Sequence, residues 1–88
     1  MWAKGKNTGL IYKIEEGTGD NLLQEDIDQG YVDYIYYDSF KSLDDVYDNE
    51  TYDGGVYYLE DYYSNHSKEE ILKMVGDFEV DTLEEINL

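Results

Sequence analysis

The chain has no cysteine, no proline and no arginine. Without cysteine there is no disulfide framework, no zinc–thiolate site and no thiol nucleophile, and the redox compartment leaves no trace. Lysine supplies the whole basic complement of 6, against 22 Asp and Glu, for a formal net charge of −16. So few cations exclude the basic patch that binding to DNA, RNA or an anionic membrane requires. Long apolar runs are missing too. Nothing approaches the roughly 20 residues of a membrane span, and Lys4 and Lys6 are not followed by the apolar core of about 7 residues that a signal peptide needs. These absences predict a soluble, cytoplasmic protein.

Tyrosine and acid dominate what is present. Leu, Ile, Val and Phe make up 21 of 88 residues, about 24%, just above the level of about 20% below which a highly charged chain stays disordered. The 11 tyrosines raise the apolar share to 41%. At this length the chain is read as a single domain over 1–88, burying only about 60–65% of its unfolded surface. Charge is segregated along it. Residues 1–13 carry three Lys and no acid, and the other three Lys and all 22 acids follow. The first seven residues are read either as a frayed arm or as a strand edge facing the acidic body.

Periodicity gives the elements. Leu10, Tyr12 and Ile14 alternate with Ile11, Lys13 and Glu15, which predicts a half-buried strand over about 9–16. The loop Gly17-Thr18-Gly19-Asp20 ends it. Leu22, Leu23 and Ile27 share one face of a short helix over 21–29, with Asp20 as its cap and Gly30 closing it. Residues 31–40 are rich in strand formers, with Val32, Tyr34 and Tyr36 on one face and Tyr31, Asp33, Ile35 and Tyr37 on the other. Ser42-Leu43-Asp44-Asp45 resembles a helix start, with Val46 and Tyr47 as its apolar face. Asp53-Gly54-Gly55 reads as a turn before a third strand over 56–61. Ser67-Lys68-Glu69-Glu70 forms a capping box, and Ile71, Leu72, Val75 and Phe78 then line one face of a helix over 68–78. Asp81 would cap a last turn bearing Leu83 and Ile86. The order predicts an α+β fold, a small, mostly antiparallel sheet of about three strands covered by the helix at 68–78.

Four constellations bear on function. Residues 31–63 hold ten of the tyrosines and nine acids against one lysine, Lys41. Some of these tyrosines must build the core, while others should stand exposed beside carboxylates, where a flat apolar ring with a polar tip suits an interface. The acids spread over a compact body can imitate a nucleic-acid backbone and occupy a basic groove on another protein; the plain alternative is a merely soluble acidic surface. Asn49, Thr51, Asp53, Gly54, Val56 and Glu60 match an EF-hand-like calcium register, with Gly and Glu at the right places but no flanking long helices. For catalysis there is a lone histidine, His66, and no triad can be built around it. Gly17-Thr18-Gly19 lacks the lysine of a phosphate loop. The chain is therefore expected to bind rather than catalyse, with no cofactor and no resident metal. The expected surface is the connection bearing Asp44, Asp45, Tyr47, Asp48, Glu50, Tyr52 and Asp53, and the expected partner is a protein with a basic surface. A Tyr-anchored acidic accessory domain is the alternative, and weak calcium binding a remote one.

Gly19-Asp20-Asn21-Leu22-Leu23, then Glu25-Asp26-Ile27 and Gly30-Tyr31-Val32-Asp33-Tyr34-Ile35, together with Asp53-Gly54-Gly55, resemble small acidic proteins of unknown function carried on conjugative elements of Gram-positive gut bacteria. The resemblance covers residues 12–56. It implies a bacterial cytoplasmic protein from a mobile element, a setting in which acidic DNA mimics serve as anti-defence inhibitors. It carries no catalytic or binding residues.

Overall fold

The computed structural model describes residues 1–61 and 66–88. Tyr62 and Tyr63, the last of the tyrosine-rich stretch, lie outside the described residues. The fold is α+β. Five strands, β1 (Trp2–Gly5), β2 (Ile11–Gly17), β3 (Tyr34–Phe40), β4 (Asp53–Tyr58) and β5 (Leu83–Ile86), form one sheet in the order β4-β3-β2-β1-β5, with every neighbouring pair antiparallel. Helices α1 (Gln24–Asp28) and α2 (Leu43–Tyr47) are single turns in the connections, and α3 (Lys68–Glu79) is the long one. None is long and apolar enough to cross a membrane among the described residues.

The strand count exceeds the three read from sequence, and the two extra strands are the terminal segments. Residues Trp2–Gly5 are neither an arm nor an edge; β1 lies inside the sheet, between β2 and β5. The segment read as a last helical turn is β5. A four-residue turn of helix is unstable alone, whereas an extended segment satisfies the free side of β1. Charge agrees with that choice. Lys4 sits opposite Glu84 across the strands, and Lys6 Nζ is 2.9 Å from Glu84 Oε1.

One face of the sheet carries the core. Ala3, Tyr12, Ile14, Ile35, Tyr37 and Leu83 meet Ile71 and Val75 of α3. The alternation read over 9–16 and 31–40 thus points the right residues inward. Phe78 does not follow Ile71 and Val75 into the core. It is 51% exposed and packs edge-on against Tyr57, centroids 5.6 Å apart. In α1, Asp20 is not the cap; Leu23 occupies that position without a side-chain bond and is exposed, leaving Leu22 as the buried anchor. Ser67 caps α3 as expected, its hydroxyl accepting from the Glu70 amide at 3.2 Å.

The three described helices close with similar turns. In each a left-handed residue, next to the cap in α1 and α2 and the cap itself in α3, is followed by two crossed amide bonds that close the turn: Gly30 and Tyr31 after α1, Asn49 and Glu50 after α2, Val80 and Asp81 at the end of α3. Gly30 and Asn49 tolerate positive φ. Val80, at φ +56°, is β-branched and 83% exposed, so it carries strain without gaining burial. Val80→Gly is therefore expected to stabilise the protein by about 1 kcal/mol, the left-handed penalty outweighing glycine's added chain entropy. A thermal melt checks this: the midpoint should rise by several degrees, and a fall would contradict the turn geometry.

The Gly54-Gly55 pair is not a turn but part of β4; the chain reverses earlier, at Asn49. Glycine is required at 55 because the Tyr37 ring lies over it. A Cβ there would sit 2.9 Å from Tyr37 Cζ.

Candidate functional site

The second face of the sheet has two halves. At one end Val46 of α2 lines a hollow with Trp2, Phe40 and Lys13. At the other end no described element covers Tyr34, Tyr36, Val56 and Tyr58. They form an open groove of about 720 Å³, with Asp38 and Gly54 completing its wall.

The seven residues singled out from sequence run from α2 into β4: Asp44, Asp45 and Tyr47 lie in α2, Asp48, Glu50 and Tyr52 in the connection after it, and Asp53 opens β4. Ser42 caps α2 and fixes its start; its hydroxyl accepts from the Asp45 amide at 3.4 Å and donates to the Asp45 carboxylate at 3.3 Å. Asp45 is accordingly half-buried, while Asp44, Asp48, Glu50 and Asp53 are exposed. The left-handed Asn49 turns the chain back. The Tyr52 amide then donates to the Ser39 carbonyl at 2.6 Å, and Ser39 Oγ donates to the Asp53 carbonyl at 2.8 Å. These bonds fasten the connection to the end of β3, so the acids are held on a short, well-anchored loop. Tyr47 is 76% exposed. Tyr52 is exposed as well, but its ring already has a cation, Lys41 Nζ at 4.6 Å from the centroid.

The ion pairs among the described residues are Lys6–Glu84, Lys13–Glu15 and Lys68–Glu85. None involves Asp44, Asp45, Asp48, Glu50 or Asp53, so this acidic loop is not neutralised from within.

The tyrosines divide as their positions in the sheet dictate. Tyr12 and Tyr37 are core residues whose buried hydroxyls are satisfied by donating to Asp81 and Glu79. Burial, reinforced by the Glu79 carboxylate, raises the Tyr37 hydroxyl far above its ordinary pKa. Tyr36, on the open face, donates to Glu15, and that bond holds the Glu15 carboxyl below the usual range. Tyr34 meets Tyr58 edge-on across the strands, centroids 6.2 Å apart. Sequence reasoning put Tyr34 and Tyr36 on one face but missed the groove. Reading Gly54-Gly55 as a turn hid the pairing of β4 with β3, which sets Val56 beside Tyr36 and Tyr58 beside Tyr34.

The calcium register does not survive. Its central positions, Asp53, Gly54 and Val56, lie on extended β4, so the segment does not wrap around a point as an EF-hand loop does. Among the described residues no group of three or more His, Cys, Asp or Glu could hold a metal. The Gly17-Thr18-Gly19 loop closes on buried Asp33, whose carboxylate accepts the Gly19 amide at 2.7 Å, so a carboxylate occupies the place where a phosphate loop would present its amides. His66 is half-buried beside a small hollow of about 180 Å³ lined with Tyr57, Leu59, Glu60, Asp61 and Met74.

Comparison with family models, with curated proteins and with solved structures returned no match.

Proposed function

We propose that the protein is a non-enzymatic binding module that engages a basic-surfaced protein through the α2–β4 acids, in the manner of a DNA mimic. The observation that carries this is the unneutralised cluster Asp44, Asp45, Asp48, Glu50 and Asp53 on an anchored, exposed loop. Asp44 and Asp45 suit the first turn of α2, but Asp48 works against the local structure. Asp44 and Asp48 stand one helical turn apart with like charge, and Asp48 lies at the helix C-terminus, where the backbone dipole disfavours an anion. Charge that costs local stability is consistent with a role toward a partner. A basic nucleic-acid groove would attract the cluster as it attracts phosphates, with steering and salt dependence to match. The resemblance of residues 12–56 to acidic proteins of conjugative elements supports an anti-defence setting in the bacterial cytoplasm.

The test replaces Asp44, Asp45, Asp48 and Asp53 by Asn and Glu50 by Gln, which retains the acceptors to Ser42 and Gly54. Against a partner recovered from the source cell and displaced by duplex DNA, titration calorimetry should give at least about tenfold weaker binding with the fold intact. Unchanged affinity in the folded variant would remove the loop from the interface. The second reading, an accessory domain anchored by tyrosine, is favoured by the open groove at Tyr34, Tyr36 and Tyr58. It predicts affinity that hardly responds to salt.

A further inference from the structure

The open half of the sheet ends in an unpaired edge. Among the described residues no strand joins β4 on the side away from β3. Leu59 donates its amide to the Asp33 carbonyl at 2.9 Å, in register with the β3–β4 ladder. The alternation of an antiparallel pair then turns the peptide groups of Gly54, Val56 and Tyr58 away from β3, toward the open side; the Gly54 amide is held by the Asp53 carboxylate at 2.9 Å, which leaves the amides of Val56 and Tyr58 open to a new strand. The same three residues face the groove. Edge strands are ordinarily protected by lysine, proline, a bulge or a cover. The opposite edge, β5, is only four residues long and carries the Lys68–Glu85 pair. β4 is six residues long, has no lysine and is anionic at its start, with Glu60 and Asp61 just beyond its end.

We propose that β4 receives an extended, arginine- or lysine-bearing segment of the partner as a sixth strand. This rests on the proposed basic partner and adds where and in what conformation it binds. An added antiparallel strand would send every second side chain over the groove, opposite Gly54, Val56 and Tyr58. Opposite Tyr58, which is 66% exposed, a cation meets the face of a phenol ring. Opposite Gly54 there is no side chain to meet, and the Asp38 carboxylate leans over the gap. A Cβ at 54 would lie 3.2 Å from Asp38 Oδ1. A long cationic side chain laid across Gly54 therefore reaches Asp38 directly, and a charge-assisted bond forms there. Within the chain, Lys41 over Tyr52 already makes the same kind of contact. A second copy of this chain is the wrong occupant, because its net charge of −16 would repel an identical edge.

The experiment follows the intact, isotope-labelled protein by nuclear magnetic resonance. The probe is a capped peptide of alternating arginine and valine, about eight residues long to span the edge. The control is the same peptide N-methylated at every residue, which keeps the charge and loses the strand donors. The first should slow amide exchange at Val56 and Tyr58 by at least about tenfold at saturation, and shift Tyr34, Tyr36 and Asp38. The N-methylated peptide should bind at least about tenfold more weakly. Val56→Pro removes an outward amide without touching the ladder to β3, and should abolish the protection; Asp38→Asn, which leaves the backbone unaltered, should weaken binding at least threefold or so. Equal binding of both peptides, with shifts at Asp44 to Asp53 instead, would overturn the added strand and leave the basic partner standing. No shift with either peptide would also overturn it, and the five-acid variant would then decide the wider reading. Protection of β4 in the protein alone at high concentration would assign the edge to a second copy and overturn the proposal.

Discussion

Asp81→Ala is expected to destabilise the protein by about 3–5 kcal/mol, because several buried or half-buried donors lose their shared acceptor at about 1–3 kcal/mol for each one left unsatisfied. Asp81 is 8% exposed and satisfies four groups. Oδ1 accepts the amides of Asn7 at 2.9 Å and Thr82 at 2.8 Å, and Oδ2 accepts the hydroxyls of Thr8 at 2.6 Å and Tyr12 at 3.1 Å. One side chain thus ties the β1–β2 turn to the turn after α3, across nearly the whole sequence. Gly5 leaves it room, since a Cβ at that position would collide with the carboxylate. Alanine would leave the Tyr12 hydroxyl, on a residue only 1% exposed, without this acceptor. For a domain of this size the loss approaches the whole of its stability, typically about 5–15 kcal/mol for folded proteins. Acid should act on the same group. Burial raises the Asp81 carboxyl, but the donors from Thr8, Asn7, Thr82 and Tyr12 hold it on balance below its ordinary value. A carboxyl with a lowered folded pKa contributes fully above its unfolded pKa, about 3.9, and that contribution is lost as pH falls through the folded value. Denaturant midpoints measured downward from about pH 5 should therefore drop steeply below about pH 4 in the parent and less steeply in Asp81→Asn. Matching profiles would contradict the role given to Asp81.

Ile35→Ala should cost about 2–5 kcal/mol, and Phe78→Ala less than about 2. Ile35 is fully buried in β3, between Glu16 of β2 and Tyr57 of β4. Its truncation leaves a cavity in the middle of the sheet. Phe78 is half in solvent, and its neighbours Tyr57 and Tyr37 touch it by ring edges. Its ring therefore supplies area but seals no cavity. Denaturant midpoints of the two variants compare them directly. Equal losses would mean that α3 is rotated on the sheet from the orientation described.

The α+β class, the long helix and the inward faces of β2 and β3 were legible because period-two and helical patterns there are driven by burial. Tyr12, Ile14, Ile35 and Tyr37 alternate strictly, and Ser67 with Glu70 marks the start of α3. The terminal strands were not legible. β1 and β5 are four residues each, and what selects them is mutual pairing and the Lys–Glu contacts across it, a long-range fact with no local pattern. Gly54-Gly55 misled for a related reason. A glycine pair signals a turn when judged locally, but Gly55 is there because Tyr37, distant in sequence, lies over it. The acidic loop could be named residue by residue because capping and charge are local. The groove beside it depends on the register of β4 on β3, which the turn reading displaced.

On the proposed reading this surface binds through its charge. The most direct test is the salt dependence of the parent protein's affinity for its DNA-displaced partner, measured by titration calorimetry from about 50 to about 200 mM salt. Engagement of several carboxylates by a basic groove predicts a linear fall of log affinity with log salt, with a loss of at least about tenfold over that range. An affinity unchanged across the range would contradict the account and transfer the interface to the tyrosines.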